Sequence, residues 1–247
     1  MFCYIDHEYK YCLFFHCKSG CSTLRYLFTL LHHDTLKDLK LRKNIKNHGL
    51  KHVKTWGPYV YSHTLLFREI PHVLPDEYEH YKKIGIVRDS YKRIVSAYFN
   101  RFLQINIESG TTNLAKINEE RSFYWFVKNE IKNSDDIHYL SQYTNIKIDR
   151  YVKLKNLKEL YDIYENFIGL SEEKLSIVKE CLEIKKEYLK KNYSFEKELN
   201  FSDYDFSKDE NELDILKNGV PSDNMLNEKN KAEIYEIYKD EIDFFKF

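Results

Sequence analysis

A short polar segment, KSGCST at residues 18–23, connects an apolar stretch to a segment with helical hydrophobic periodicity. In this order of strand, lysine, small residue, glycine, hydroxyl residues and helix, main-chain N–H groups and a helix amino terminus point at a bound anion. The segment predicts a phosphate-binding loop, and an ordinary strand-to-helix turn is the competing interpretation of so short a pattern. The residues expected to contact the phosphate are Lys18, Ser19, Gly20, Cys21, Ser22 and Thr23.

The order of residues in this segment differs from the Walker pattern GxxxxGK[ST] of nucleotide triphosphatases. The lysine comes before the glycine, and no second glycine precedes it. A kinase or another nucleotide hydrolase is therefore disfavoured. Competition by ATP with magnesium for the pocket would test that alternative.

A second segment with phosphate-binding chemistry begins at Arg88, within VRDSYKRIVSAYFNRF. Arg88 closes a predicted strand, and Ser96 lies about two turns into the helix that follows. Arginine offers a planar fork of donors and serine a hydroxyl, which together suit a terminal phosphate monoester. We expect Arg88 and Ser96 to clamp one phosphate, with a surface arginine and an ordinary helical serine as the alternative.

Hydrophobic patterns around these two segments predict the elements that position them. Strands are expected at residues 9–16, 81–87 and 148–154, with a short strand near residues 59–62. Helices are expected at residues 24–31, from Ser90 to Phe102, and at residues 123–131, 156–168, 172–190 and 228–244. Strands that alternate with helices predict an α/β fold with a parallel central sheet and helices on both faces.

The length of the chain suits one domain, which we expect to span residues 1–247. Its sequence becomes polar and acidic towards the carboxy terminus, with the stretch FSDYDFSKDENELD. We expect a loop at residues 195–225 there, and a closing helix after it.

Charge and cysteine content narrow the class of protein. Lys plus Arg and Asp plus Glu both total 39, so no global field draws the chain to nucleic acid or anionic lipid. Five cysteines, an odd number without a CxxC pair, favour a reducing compartment. No run reaches the roughly 18 apolar residues of a membrane span, and the amino terminus lacks a signal pattern. We therefore expect a soluble, cytoplasmic protein with no membrane segment, not a Golgi protein.

The two phosphate segments together resemble those of a known family. CKSGCST is similar to the 5′-phosphosulfate loop of sulfotransferases that use 3′-phosphoadenosine 5′-phosphosulfate (PAPS), and RDSYKRIVSAYFNRF is similar to their 3′-phosphate segment. The closest likeness is to Golgi-type carbohydrate sulfotransferases, sulfotransferase family 2, which include the chondroitin, dermatan and uronyl 2-O groups. Ser90 here replaces their usual proline. HYLSQ at 138–142, the region 151–170 and the carboxy-terminal EIYEIYKDEIDFFKF are also similar.

The resemblance implies a P-loop-like sulfotransferase fold and an enzyme that moves a sulfuryl group from PAPS to a hydroxyl of a carbohydrate acceptor. Lys18 would stabilise the leaving 5′-phosphate, and Arg88 with Ser96 would bind the 3′-phosphate. No metal is expected, because lysine and main-chain amides supply the positive field. The same donor chemistry would also serve sulfation of a protein tyrosine or a small alcohol. A binding module that keeps the nucleotide pocket but no longer catalyses is a further alternative.

The acceptor hydroxyl needs a base, and histidine has the unperturbed pKa nearest to neutral pH. The resemblance favours His63, because TWGPYVYSHTLLF precedes the Arg88 strand as a His-bearing YHGH segment precedes RDP in uronyl 2-O-sulfotransferases. A histidine that caps a strand end is the alternative for His63. His138 is the second candidate, as a base or a substrate contact.

A zinc site is a further alternative at the start of the chain. Its candidate ligands are Cys12, His16, Cys17 and Cys21. Their spacing is irregular, and a strand directs neighbouring side chains to opposite faces, so the pattern disfavours this site.

Overall fold

The computed structural model describes residues 1–32, 64–66, 73–98, 123–134, 136, 138–191 and 225–247. The chain divides into two compact units. The first unit comprises Met1–Val87 and Thr144–Lys191, and the second comprises Arg88–Tyr143 and Asn192–Phe247. The expectation of a single domain stays a prediction.

The strands of the first unit form one mixed sheet. Within the described residues they are β1 (Phe2–Asp6), β2 (Tyr11–Phe15), β3 (Thr64–Leu66), β4 (Lys82–Val87) and β5 (Arg150–Lys153). Their order is β3-β1-β2-β4-β5; β2, β4 and β5 are parallel, whereas β1 is antiparallel to β2 and β3. The strands predicted at 9–16, 81–87 and 148–154 are confirmed. The strand predicted near residues 59–62 lies outside the described residues.

The predicted parallel arrangement is present at β2, β4 and β5, but the sheet also contains β1, an antiparallel strand that the sequence interpretation missed. The turn between β1 and β2 covers residues 7–10, which is too short for the crossover that parallel neighbours need. Asp6 closes this turn by accepting the main-chain N–H of Tyr9 at 2.8 Å. Lys10 completes it with a φ of 53°. The chain therefore returns as an antiparallel hairpin, and the fold is mixed α/β.

The described α-helices agree with the periodicity of the sequence. They are α1 (Cys21–His32), α2 (Ser90–Ala97), α3 (Phe123–Trp125), α4 (Glu159–Asp162), α5 (Glu172–Lys191) and α6 (Glu228–Phe245). The π-helical turns Phe126–Glu130 and Ile163–Ile168 extend α3 and α4. Gly169, with a φ of 84°, ends the second extension, as glycine commonly does. The predicted helix residues 99–102 and the predicted loop residues 195–224 lie outside the described residues.

Side chains of β2 alternate between two cores, one on each face of the sheet. Leu13 and Phe15 pack with residues of α1, α4 and α5. Cys12 and Phe14 pack against Tyr81 on the opposite face. In the described part of this unit the helices thus flank the face that carries Leu13. This packing fixes the end of β2 and the start of α1, between which the predicted phosphate loop lies.

The second unit has a helical core made by α2, α3 with its π-helical turn, and α6. The Tyr98 ring lies 5.2 Å from the Phe123 ring and 5.3 Å from the Phe126 ring, centroid to centroid. Ile94 and Ile242 bury the facing sides of α2 and α6. This core holds α2 in place directly after Arg88. Every described helix is too short or too polar to cross a membrane.

Candidate functional site

The polar loop after β2 is a tight turn that opens α1. The Ser19 N–H donates to His16 O at 3.1 Å, and the Leu24 N–H donates to Gly20 O at 3.0 Å as the helix begins. Lys18 and Gly20 both have positive φ, 66° and 89°. Left-handed residues in such a turn make successive main-chain N–H groups converge, which is the geometry of an anion-binding nest. The first turn of α1 contains no acidic residue that would compete with an anion.

The loop side chains differ in how far they reach the surface. Lys18, Gly20 and Cys21 are partly exposed, whereas Ser19 and Thr23 are buried. A ligand on this loop would therefore meet the lysine, the glycine main chain and the Cys21 side chain at the surface. The side chain of Ser22 is outside the described set.

Cys21, the first residue of α1, is an acidic thiol. A hydrogen bond from Cys17 and the nearby positive charge of Lys18 lower the pKa of Cys21 to about 6, although burial opposes this shift. In its protonated form the Cys21 thiol donates to His16 O at 3.2 Å. All five cysteines are free thiols. Among the described residues, no three His, Cys, Asp or Glu side chains come together as a metal site requires.

Arg88 directly follows β4, and its main chain is held by the side-chain amide of Gln142. The Arg88 N–H donates to Gln142 Oε1 at 2.8 Å, and Gln142 Nε2 donates to Arg88 O at 2.7 Å. Asp89 then caps α2 by accepting the Lys92 N–H at 3.0 Å. Arg88 is partly exposed, and so is Ser96, towards the end of α2. Both members of the predicted phosphate clamp thus belong to one helix and the residues that lead into it.

Glu241 of α6 is the centre of a buried polar cluster that the sequence interpretation missed. Its carboxylate accepts from the main-chain N–H of Gln142 at 2.5 Å and from Gln142 Nε2 at 2.7 Å. The hydroxyls of Ser90 and Ser141 donate to it at 2.5 and 3.0 Å. Arg93 Nη2 lies 3.5 Å away and supplies the opposite charge. Because α6 is a charged helix with ordinary amphipathic spacing, no local pattern distinguishes Glu241 from its exposed neighbours.

Arg93 connects this cluster to the main chain of His138. Its Nη1 donates to His138 O at 3.2 Å, and its guanidinium lies 5.2 Å from the centroid of the Tyr238 ring. Tyr238 in turn donates its hydroxyl hydrogen to Tyr139 O. These contacts fix the chain on both sides of the His138 carbonyl.

His138 is paired with Asp136, a residue that the sequence interpretation did not select. The His138 main-chain N–H donates to Asp136 Oδ1 at 2.9 Å, and the same oxygen contacts His138 Nδ1. The two side chains are 22% and 25% exposed, so they lie at the surface of their unit. A proton on Nδ1 directed at the carboxylate leaves Nε2 as the basic nitrogen of the ring. His63, the favoured base, lies outside the described residues.

The predicted site residues therefore fall into two groups. Lys18 and its loop belong to the first unit, and Arg88, Ser96 and His138 belong to the second. A family model described as "Sulfotransferase family" matches residues 3–247, which include both groups. No curated protein and no solved structure matches the chain.

Proposed function

Because the chain belongs to the sulfotransferase family, we propose that it transfers a sulfuryl group from PAPS to a hydroxyl of a carbohydrate acceptor. The observation that carries the proposal is the turn at Lys18 and Gly20, where two left-handed residues open the amino terminus of α1. Main-chain N–H groups at such a turn bind a phosphate or phosphosulfate group. The carbohydrate acceptor follows from the likeness to the carbohydrate sulfotransferases.

In this proposal Lys18 and the first amides of α1 bind the 5′-phosphosulfate. The acceptor oxygen forms a bond to sulfur while the bond from sulfur to the bridging phosphate oxygen breaks, so negative charge grows on the leaving 5′-phosphate. Lys18 and the amides stabilise that charge, and such electrostatic stabilisation by a preorganised site is usually the largest single contribution to catalysis. The buried side chains of Ser19 and Thr23 support the turn. The Ser19 main-chain N–H donates to His16 O within the turn, so in this proposal the later amides of the loop bind the anion.

Arg88 and Ser96 bind the 3′-phosphate of the donor in this scheme. A phosphate monoester carries more charge than the diesters of nucleic acids, and a guanidinium with a hydroxyl suits it. These two residues would therefore distinguish PAPS from adenosine 5′-phosphosulfate, which lacks the 3′ group.

His138 is our choice of general base, with Asp136 as the residue that orients it. The contact between Asp136 and His138 Nδ1 matches the arrangement in which a carboxylate sets the tautomer of a catalytic imidazole. Nε2 would take the proton from the acceptor hydroxyl as its oxygen attacks sulfur. His63 stays the alternative base.

Calorimetry with 3′-phosphoadenosine 5′-phosphate tests the donor site. We expect tight binding to the wild type, much weaker binding of adenosine 5′-phosphate, and loss of this difference in Arg88→Ala. Lys92→Ala is the matched control, because it removes a positive charge from an exposed position on the same helix. A folded wild type that binds neither nucleotide would overturn the proposal.

Transfer of labelled sulfate from PAPS to a panel of glycans tests the reaction itself. His138→Ala should lower kcat by about a hundredfold or more, the low end of a general base's contribution. Asp136→Asn should lower kcat in the same direction, and both variants should leave donor affinity unchanged. Transfer to a tyrosine peptide or a small alcohol in place of every glycan would reassign the acceptor. Donor binding without transfer to any acceptor would identify a non-catalytic relative.

A further inference from the structure

Arg88 lies where the chain changes from strand to helix. β4 ends at Val87 and α2 begins at Ser90, so Arg88 and Asp89 form the link between them. The side-chain amide of Gln142 accepts a hydrogen bond from the Arg88 N–H at 2.8 Å and donates one to the Arg88 carbonyl at 2.7 Å. One side chain thus sets the main-chain orientation from which the Arg88 guanidinium extends.

Glu241 fixes that amide in turn. A carboxylate has about four acceptor positions, and two of those on Glu241 are taken by the main-chain N–H and Nε2 of Gln142. The bond to Nε2 also settles which end of the amide is the donor, because a carboxylate accepts and cannot donate. With Nε2 directed at Glu241, Oε1 is the end that receives the Arg88 N–H.

Stability alone is a poor explanation for this cluster. Arg93 and Glu241 are 0% and 1% exposed, and a buried ion pair is often no more stabilising than well-packed apolar residues of the same volume. What the cluster supplies is a defined geometry. The hydrogen bonds of the cluster hold Gln142, the main chain of Arg88, and Ser90, which is the first residue of α2.

We propose that Gln142 is a positioning residue for the donor 3′-phosphate, acting through the main chain of Arg88, and that Glu241 holds Gln142 in the required orientation. This rests on the proposed function, since it concerns the same donor site. An arginine fork binds phosphate through two parallel hydrogen bonds, so its strength depends on the direction of the guanidinium. Loss of the Gln142 hydrogen bonds to the Arg88 main chain weakens binding of the 3′-phosphate and leaves contacts to the rest of the nucleotide intact.

The test compares affinities for 3′-phosphoadenosine 5′-phosphate and adenosine 5′-phosphate in each variant. Gln142→Met keeps the length of the side chain but removes all its hydrogen bonds, and Gln142→Asn keeps an amide that is too short to span the Arg88 peptide groups. Both should reduce the ratio of the two affinities by about tenfold, equivalent to about 1.4 kcal/mol. Adenosine 5′-phosphate should bind them as it binds the wild type.

Ser141→Ala is the matched control for these variants. Ser141 also donates to Glu241, at 3.0 Å, but it lies outside the amide pair with Arg88. It should lower the unfolding temperature and leave the affinity ratio at the wild-type value. Thermal unfolding confirms that each protein is folded, and Gln142→Asn, the more polar replacement, serves if Gln142→Met does not fold.

The outcomes separate this inference from the proposed function. A wild-type ratio in a folded Gln142 variant, together with a lost ratio in Arg88→Ala, would overturn the role of Gln142 and leave the donor site standing. A wild type that binds both nucleotides equally would overturn the donor assignment and this inference with it. An equal loss for both nucleotides in the Gln142 variants would also overturn the inference, since it would indicate a general structural role.

Discussion

Gly20 lies so close to Leu154 that a Cβ built on the glycine would be 2.7 Å from Leu154 Cδ1. Gly20 also has a φ of 89°, which residues other than glycine rarely adopt. Leu154 follows β5, so the loop after β2 is packed against residues at the end of a different strand. Both the conformation and the packing of the loop therefore require glycine.

Gly20→Ala should destabilise the protein by more than its backbone conformation accounts for. The left-handed conformation alone costs a non-glycine residue about 1–2 kcal/mol. Gly169→Ala is the matched control, because Gly169 has a φ of 84° and a Cβ there would meet nothing within 4 Å. Urea unfolding should show a larger loss of unfolding free energy for Gly20→Ala than for Gly169→Ala.

The contact with Leu154 can be tested separately. The double variant Gly20→Ala, Leu154→Ala removes the close contact and keeps the unfavourable φ. The loss of unfolding free energy in this double variant, after subtraction of the loss in Leu154→Ala alone, should fall to the loss measured for Gly169→Ala. An unchanged loss would mean that the loop relaxes away from Leu154 without cost.

The tight turn between β2 and α1 was predictable from sequence because its information is local. Lys18, Gly20 and the start of α1 are neighbours in the chain, and a glycine with hydroxyl residues directly before an apolar-periodic segment is typical of a strand-to-helix turn. β1 was missed because its short apolar run ends at Asp6 and is followed directly by a polar, charged turn. In the sequence these residues do not indicate a buried strand, although Asp6 is buried in the structure.

The Glu241 cluster could not be predicted in the same way. Glu241 and Gln142 are far apart in sequence, and only the fold makes a buried acceptor of one glutamate among many on charged helices. Asp136 carried a weak local signal, since it lies near a histidine in the chain. A carboxylate near a histidine in sequence orients the ring only if the turn brings them together, as it does here.

Cys21 should be the most reactive cysteine of the chain at neutral pH. Its pKa is lowered to about 6, so the thiolate predominates at pH 7, whereas Cys3, Cys12 and Cys181 are buried. The rate of alkylation by iodoacetamide, followed by peptide mass mapping, should rise with pH around 6. Cys17→Ala removes the side-chain hydrogen bond that contributes most to this shift and should move the midpoint to higher pH. A midpoint near the ordinary thiol value of about 8.5 in the wild type would contradict this prediction.

The same thiolate should oppose donor binding, because it lies on the loop that we assign to the 5′-phosphosulfate. Above pH 6 the wild type should bind 3′-phosphoadenosine 5′-phosphate more weakly than Cys21→Ser, and the difference should shrink as the pH falls below 6. Comparing the two proteins at each pH cancels the titration of the nucleotide phosphates. Equal affinities at pH 8 would place the Cys21 sulfur away from the bound anion.

Asp6→Asn should stabilise the protein at neutral pH. Burial raises the pKa of Asp6, against the opposing hydrogen bond from the Tyr9 N–H. When the pKa of a carboxyl is higher in the folded state than in the unfolded state, its ionisation lowers the free energy of unfolding of the protein. This destabilisation is absent at low pH and grows as the pH rises through the folded-state pKa. Asparagine keeps an acceptor for Tyr9 without the charge. Thermal unfolding should show an advantage for Asp6→Asn at pH 7 that disappears near pH 3, and a deficit at pH 7 would contradict the prediction.

Ser90→Pro should be tolerated better than Ser90→Ala, although both remove the hydroxyl bond to Glu241. Ser90 is the first residue of α2, where proline is favoured because its missing N–H is not needed. Asp89, with φ −40° and ψ 122°, is already outside the α region, and its ψ lies in the range that a following proline favours for its neighbour. Proline should also reduce the entropy of the unfolded chain, worth about 0.4–1 kcal/mol. Urea unfolding should therefore rank the wild type first, Ser90→Pro second and Ser90→Ala third, and a proline variant less stable than the alanine variant would show that α2 cannot accept the ring.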